Sequence, residues 1–560
     1  MLKRPNAARV LTAAFLVAGL IHVSAAQAIR IHEDVTSGPF VSFDADGKLT
    51  YQPFTDRGDV IIDYSYSGYR ASEQPIPDVP RVGHARERVD PLLGEAVPDG
   101  TMAYPKGPDS RERIQAALDA VAAMEPMENG YRGAVVLNRG TYYLEGGLTL
   151  ASGVVLRGRS DDPDGTVLII RNPQGTGITL GHSADPEPIE GTTSRIADAY
   201  VPSGSRELTV EDASAYEVGD HVNVVKTVNQ AWVDTLGMNF PDGPRPGRRL
   251  TPWTPDAYQL GHIRRIEAVE GQRLRFDVPL PQSFAAEFGG GSVTKVDVSG
   301  EATHIGLEDL RIVSNFDRTV TDTTRSEVPY LADETQNLNA GIVVHSNHSW
   351  VRNCTILHAS RKAVGVQGAR FVTVRDCRSL EPVSIVRGAR RYSFSNSNSS
   401  MTLFYNCFAE SGRHDFVTGS RDTGPIAFVR GHVEDPRAAS ETHQRWASGV
   451  LFDQIVVKDY GGIMAINRNE AGSGHGWAGA NVVVWNCEAP FIEVQNPPTP
   501  EQNFAIGCIA TGAPNVRWTG LRGDGVIESP NIPVKPDSLF EAQLIERIGR
   551  EQAALVLGLL

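Results

Sequence analysis

The 560-residue sequence predicts an all-β fold, a right-handed parallel β-helix solenoid with N- and C-terminal helical caps and an inserted small β-unit. Three observations carry this prediction. First, one pattern recurs as Val351-Arg352-Asn353-Cys354, Val374-Arg375-Asp376-Cys377, Phe404-Tyr405-Asn406-Cys407, Val484-Trp485-Asn486-Cys487 and Ala505-Ile506-Gly507-Cys508. Second, Arg430-Gly431-His432 and Phe452-Asp453-Gln454 fit the same frame without the cysteine, so positions 354, 377, 407, 432, 454, 487 and 508 are 23, 30, 25, 22, 33 and 21 apart. A period in the low twenties with occasional additions marks a solenoid whose extra residues lie in loops. Third, short Val/Ile-rich runs punctuated by Gly, Asn and Asp make each repeat a coil of strands instead of a helix pair. A chain this long outgrows one ordinary core, and a solenoid escapes that limit by growing lengthwise.

The elements follow in order. Lys3, Arg4 and Arg9 precede an apolar run at 10–23 and the small-residue site Ala26-Gln27-Ala28, the pattern of a signal peptide over 1–28. Cleavage near Ala28 leaves a secreted or periplasmic protein without a membrane anchor. Residues 29–104 are an N-terminal extension, and 105–193 hold an N-terminal cap and the first coils. There Asp109-Ser110-Arg111-Glu112 resembles a capping box opening a helix to about Met124, with Ile114, Leu118 and Val121 on one face. Strands are expected at 134–138, 142–144, 148–150 and 154–157. The repeat is lost over 194–298, where 218–224 and 274–280 read as strands of a separate β-unit carrying Trp232, Trp253 and Tyr258. The main helix with its active face occupies 299–530. A second capping-box pattern, Ser538-Leu539-Phe540-Glu541, starts the C-terminal cap helix of 531–560, with Phe540, Leu544 and Ile548 on one side.

Two columns emerge when the repeats are stacked. The cysteines form one, buried free thiols packing as small hydrophobes. The other comes from the strand after each pattern. Its third residues, Val344, Val366, Val386, Val417, Ala447, Ile466 and Val494, make an inward ladder. Its fourth, His345, Gln367, Arg387, Thr418, Ser448, Asn467 and Gln495, make an outward polar row. Phe416 and Trp446 fall in the outward set as platforms for sugar rings.

The net charge of −14 argues against nucleic acid and anionic membranes as partners. Between Arg361 and Arg445 the sign reverses, with 13 Lys/Arg against 8 Asp/Glu. A cationic strip on an acidic protein suits an anionic polymer. Three clusters sit on successive coils: Gly412-Arg413-His414-Asp415-Phe416, His443-Gln444-Arg445-Trp446, and Asn467-Arg468 through Gly472-Ser473-Gly474-His475-Gly476-Trp477.

The helix-capped start, Arg139-Gly140-Thr141-Tyr142-Tyr143, the Asn-Cys coils and the coil spacing resemble the pectate lyase-like right-handed β-helix superfamily over roughly residues 105–190 and 300–530. That superfamily includes polysaccharide lyases, glycoside hydrolases, carbohydrate epimerases and non-catalytic adhesins, so the resemblance speaks to fold more than to reaction. Some of its lyases use calcium, which leaves a Ca2+ ion open here, although no compact Asp-rich loop stands out.

The expected partner is thus an anionic polysaccharide, and the expected reaction β-elimination from a uronic acid. Arg413 or Arg468 would neutralise the sugar carboxylate, and His414 or His443 would take the proton. Arg445 and His475 join them as candidate catalytic groups. Asn467, Arg387, Gln367, Phe416, Trp446, Trp477 and Gln495 are candidate substrate-binding residues. Hydrolysis or transglycosylation needs paired carboxyl groups, for which Asp415, Glu441 and Glu470 are the candidates. A glycan-binding protein without activity is the third reading. No Cys-x-x-Cys pair marks a metal site. Oligomeric state is left open.

Overall fold

The computed structural model describes residues 36–82, 89–98, 100–240, 250–322, 330–331, 337–512 and 520–560, so the signal peptide expected at 1–28 lies outside the described residues. The chain is a right-handed parallel β-helix. Each coil adds strands to three parallel sheets. The first sheet has ten strands, ordered in space from Leu148–Leu150 and Thr176–Leu180 through Ala340–Val344, Lys362–Gln367, Tyr392–Ser397, His414–Ser420, Ser440–Gln444, Gly462–Ala465 and Phe491–Val494 to Gly520–Arg522. The second and third run through strands such as Arg370–Arg375 with Ser400–Tyr405, and Arg378–Leu380 with Phe408–Glu410.

The cysteine frame is the backbone register of the second sheet. Val351, Val374, Phe404, Phe428, Phe452, Val484 and Ala505 are successive partners. Three residues on, each chain enters the column of Cys354, Cys377, Cys407, Gly431, Ile455, Cys487 and Cys508. The expected positions 432 and 454 are each one residue off. All five thiols are buried and free, at the corner between two sheets, with Cys377 Sγ facing the Val351 carbonyl at 3.7 Å.

The first sheet corrects the other column. Val344 pairs with Val366, Asn396 and then Thr418, which pairs with Thr442. These side chains point inward. The strand between Lys362–Gln367 and His414–Ser420 is therefore Tyr392–Ser397, and 384–387 belongs to the turn before it. Thr418, expected outside, is buried at 1% exposure, and Val417 faces outward; Ser448 and Ala447 belong to a second-sheet strand, Ala447–Asp453. A one-residue slip exchanges the two faces of a strand. The misleading signal is physical: inward positions 396, 418 and 442 are polar, with Thr402 Oγ1 donating to Asn396 Oδ1 at 2.8 Å inside the coil.

The outward column that results runs through all ten strands. Thr149, Thr179, Val343, Gly365, Ser395 and Val417 follow one another in register, and Glu441, Met464, Glu493 and Arg522 continue it.

Helix α1, Arg111–Ala122, covers the first coils with Ile114, Leu118 and Val121 buried in their core. Ser110 makes no side-chain cap; Asp109 Oδ1 accepts from the Arg111 amide at 3.0 Å instead. The C-terminal helix divides into α2, Leu539–Ile548, and α3, Arg550–Leu557. Ser538 caps α2 through the Glu541 amide at 3.2 Å. Its Phe540 and Leu544 do not plug the end of the stack: they pack along the flank of the second sheet against residues such as Leu451 and Trp485.

Between Thr176–Leu180 and Ala340–Val344, which are direct neighbours in the first sheet, the chain leaves the helix and builds a seven-stranded sheet with antiparallel pairings. Its own core contains Val222, Val224, Ile266, Phe276 and Val293. Trp232, Trp253 and Tyr258 pack against Trp446 and Trp477 of the solenoid. Among the described residues no helix is long and apolar enough to cross a membrane.

Candidate functional site

A cleft of about 520 Å³ opens on the first sheet, lined among others by Lys362, Tyr392, Ser395, Arg413, Val417, His443, Arg468 and His475. Strand alternation explains its floor. In Ser440–Gln444 the outward residues are Glu441 and His443, so a carboxylate and an imidazole stand side by side on one face.

Glu441 is the hub. It is fully buried, and its Oε1 lies 2.5 Å from His443 Nδ1, 2.6 Å from Arg468 Nη1 and 3.2 Å from His414 Nδ1. Burial alone would raise its pKa, but the neighbouring His414, His443 and Arg468 hold it down to about 2. Burial drives the His414 pKa down to about 3, with the pull of Glu441 too weak to reverse it. A neutral His414 leaves Arg468 as the standing charge that keeps Glu441 ionised.

The hydrogen bonds fix the tautomer of His443. Arg413 Nη1 donates to the Tyr392 hydroxyl at 3.2 Å. Ionised Glu441 can only accept, so the proton of neutral His443 is on Nδ1 and its Nε2 accepts from that hydroxyl, 3.2 Å away. His443 Nδ1–H then donates to Glu441. Arg413, Tyr392, His443 and Glu441 thus form a continuous hydrogen-bonded chain from the cleft wall to a buried carboxylate. His475 stacks obliquely on His443 with ring centres 5.1 Å apart, and burial lowers its pKa to about 4. His414 lies behind, its Nδ1 2.7 Å from the Ala439 carbonyl and its Nε2 buried without a partner.

Arg468 and His475 come from the turn between Asn467 and Trp477, which the antiparallel unit holds. The Thr251 amide donates to the Ser473 carbonyl at 3.0 Å, and Trp477 Nε1 to the Leu236 carbonyl at 3.1 Å.

Of the residues expected to act, His443, Arg413, Arg468 and His475 line the cleft, and Glu441 and His414 support them. Arg445 does not line it: its guanidinium donates to the Ser473 carbonyl at 3.0 Å and stands 3.4 Å from the Tyr258 hydroxyl, so it fastens the turn. Among the expected sugar-binding residues, Phe416 is inside the helix, stacked on Phe394 at 5.6 Å. Trp446 and Trp477 are buried under the antiparallel unit, Trp446 against Trp232 at 4.9 Å. The Asn467 amide donates to Gln495 Oε1 at 2.9 Å, a turn contact outside the cleft lining. The Gln367 carbonyl faces His345 Nδ1 at 2.9 Å, and Arg387 sits in the turn whose Gly388 and Ala389 rim the cleft. Asp415 points away from the cleft into a buried contact with Ser393 Oγ at 2.6 Å, and burial pushes its pKa up to about 7. Glu470 lies in the 467–477 turn and does not line the cleft.

The lining residues that the sequence reading missed include Tyr392, Ser395 and Lys362. Tyr392 and Ser395 lie in the strand displaced by the register slip. Lys362 was counted in the cationic strip but given no role; its strand position was the available signal.

A cation could be held by His414, Glu441 and His443, whose ligand atoms lie within 4.8 Å of one another. Two imidazoles and one carboxylate suit a transition metal better than calcium, which takes six to eight oxygens. Arg468 Nη1, 2.6 Å from Glu441 and 2.8 Å from His443 Nδ1, fills that position with its own positive charge, so the set does not fit a metal in this arrangement.

No family model and no curated protein matches the sequence. Solved structures that are similar include three phage tailspikes. The gp61 tailspike of Pseudomonas phage phi297 shares 13% identity at a TM-score of 0.38, covering 73% of this chain and 64% of that one. The gp49 tailspike of Pseudomonas phage LKA1 shares 11% at 0.36, covering 74% and 70%. The tailspike of E. coli bacteriophage HK620, solved with a pentasaccharide, shares 13% at 0.37, covering 74% and 56%. The chain thus spans between 56% and 70% of the length of these three proteins.

Proposed function

We propose that the protein cleaves an acidic polysaccharide by β-elimination in the first-sheet cleft. The observation that carries this reading is the Arg413–Tyr392–His443–Glu441 path in a cleft whose lining includes three cations and no Asp or Glu. Elimination from a uronic acid needs the carboxylate neutralised, C5–H removed and the leaving oxygen protonated. Arg413 faces the cleft with donors left over for a carboxylate. As Tyr392 Oη takes the C5 proton, its own proton passes to His443 Nε2, and Glu441 stabilises the imidazolium. The C5–H electron pair becomes the C4=C5 bond as the C4–O bond breaks. Tyr392 then protonates the leaving oxygen and recovers its own proton from the His443 imidazolium. His443 is the base of this pair, and His414 supports it from behind.

Hydrolysis is less well supported, since it needs two carboxyl groups across the bond. Asp415 and Glu470 are outside the cleft, and Glu441 is committed to Arg468. The signal peptide expected at 1–28 supports a place of action outside the cytoplasm.

The test is incubation with a panel of polyuronates and glycosaminoglycans, following the ultraviolet absorbance of unsaturated uronyl ends. A rise supports elimination. New reducing ends without that absorbance would replace it with hydrolysis, and silence in both would leave a binding protein.

A further inference from the structure

The hydrogen-bonded chain behind the cleft reaches the sugar through one atom. His443 meets Glu441 through Nδ1, 2.5 Å away, where the ionised carboxylate can only accept. Its other nitrogen, Nε2, meets the Tyr392 hydroxyl at 3.2 Å, and the residue is 8% exposed. A proton placed on Nε2 therefore returns to the substrate through Tyr392 Oη. The rest of the described lining supplies no acid across the ring. It contains no Asp or Glu, and the guanidinium groups of Arg413 and Arg468 do not give up a proton. Its serine and threonine hydroxyls are weaker acids than a phenol. His475 is neutral, since burial lowers its pKa to about 4, and a neutral imidazole is a poor proton donor. Lys362 is the in-register neighbour of Tyr392. Residues paired in this way project to the same side of a sheet, so a proton from Lys362 would come from the same wall.

Elimination removes a proton from C5 and delivers one to the oxygen on C4. Here the same phenol oxygen does both in turn. Tyr392 Oη takes the C5 proton while its own proton passes to His443 Nε2. The C5–H electron pair becomes the C4=C5 bond, and the C4–O pair leaves with the oxygen. That oxygen takes its proton from Tyr392 Oη, which recovers one from Nε2, so the protein ends as it began. A catalytic atom must lie within hydrogen-bond reach of each atom it serves. One oxygen beside a pyranose ring reaches the C5 hydrogen and the C4 oxygen only when both project to its side. When they are trans, the ring stands between them. We propose that the reaction is a syn elimination, and that the cleaved sugar is a uronate with C5–H and C4–O on one face, as in glucuronate and mannuronate. Galacturonate, inverted at C4, and guluronate and iduronate, inverted at C5, present them on opposite faces and are excluded. This rests on the elimination reading and names its substrate class.

The experiment uses the full-length wild-type protein and five polymers. Polymannuronate is paired with polyguluronate, and chondroitin with fully epimerised dermatan; polygalacturonate stands alone. Within each pair the uronates differ only in configuration at C5, so charge and the linked C4 oxygen are matched. Initial rates are read from the ultraviolet absorbance of unsaturated uronyl ends. Polymannuronate, chondroitin or both should be cleaved. Each one that is cleaved should react at least about 100-fold faster than its C5 epimer and than polygalacturonate, the scale on which a correctly placed acid or base contributes. A smaller difference, or the reverse order, would overturn the syn assignment and demand a second acid across the ring, while leaving elimination standing. Absorbance from none of the five would instead remove the elimination reading beneath it.

Discussion

Exchange of Glu441 for glutamine is the sharpest test of the hub. The amide keeps the shape and one acceptor oxygen, but it removes the charge that Arg468 and His443 share. Two routes give the size of the loss. Leaving one partner of a buried ion pair alone costs about 3–5 kcal/mol, and the retained acceptor places this case at the lower end. Independently, a pKa held down from 4.5 to about 2 corresponds to about 3 kcal/mol of preference for the charged form. The sign follows from the depression. The contribution is complete above the unfolded-state pKa and is lost as pH falls through about 2. Glu441→Gln should therefore unfold at lower guanidinium concentration than wild type at neutral pH, and the gap should close on acidification. Elimination should fall about 10²- to 10⁴-fold, the range of a general base that loses its support. The double variant Glu441→Gln, Arg468→Met removes the stranded cation with the carboxylate. It should regain most of the stability and none of the activity. A single variant that unfolds with wild type and turns over within threefold of it would refute both the hub and the proton path.

Tyr392→Phe removes only the hydroxyl between Arg413 and His443; kcat should drop at least about 100-fold with the melting temperature unchanged, as read by initial rates and circular dichroism. Asp415 behaves oppositely to Glu441. Burial raises its pKa from 3.8 to about 7, so its ionisation destabilises the fold progressively as pH rises between those values. Asp415→Asn should accordingly gain thermal stability relative to wild type at pH 8 compared with pH 5. Trp253→Ala opens a cavity against Tyr258, stacked at 4.3 Å, and Trp232. It should destabilise the antiparallel unit by about 3–5 kcal/mol and depress kcat through the loosened 467–477 turn, with Trp253→Phe recovering most of both.

The sequence made the solenoid legible because its repeat is written in residues that have few alternatives. A small apolar thiol fits the corner where two sheets meet, and Cys354, Cys377, Cys407, Cys487 and Cys508 mark it coil after coil. The cleft was half legible. Arg413, His443, Arg468 and His475 stood out as polar clusters in glycine-rich sequence, where a rigid scaffold presents function. Tyr392 and Ser395 stayed hidden because the interior beneath the cleft is itself polar. Asn396, Thr418 and Thr442 face inward there while Val417 faces out, so alternation of hydrophobicity, the rule that assigns strand faces, is inverted at the site. The tryptophans misled for the opposite reason. Trp446 and Trp477 do lie on the outside of the coil, and only the docked antiparallel unit, about 200 residues earlier in the chain, turns that outside into a core. Likewise Asp415 stood in the most suggestive cluster, yet its carboxylate is buried against Ser393 and does not line the cleft.

That docked unit has a consequence for the life of the protein before it is finished. The stacked coils supply Lys362, Tyr392, Arg413, Glu441 and His443, but Arg468 and His475 ride on a turn pinned to Thr251 and Leu236 of the inserted unit. On the proposed elimination reading, a chain with its coils wound and the inserted unit undocked should keep the groups of the coils in the cleft and lose the placement of Arg468 and His475.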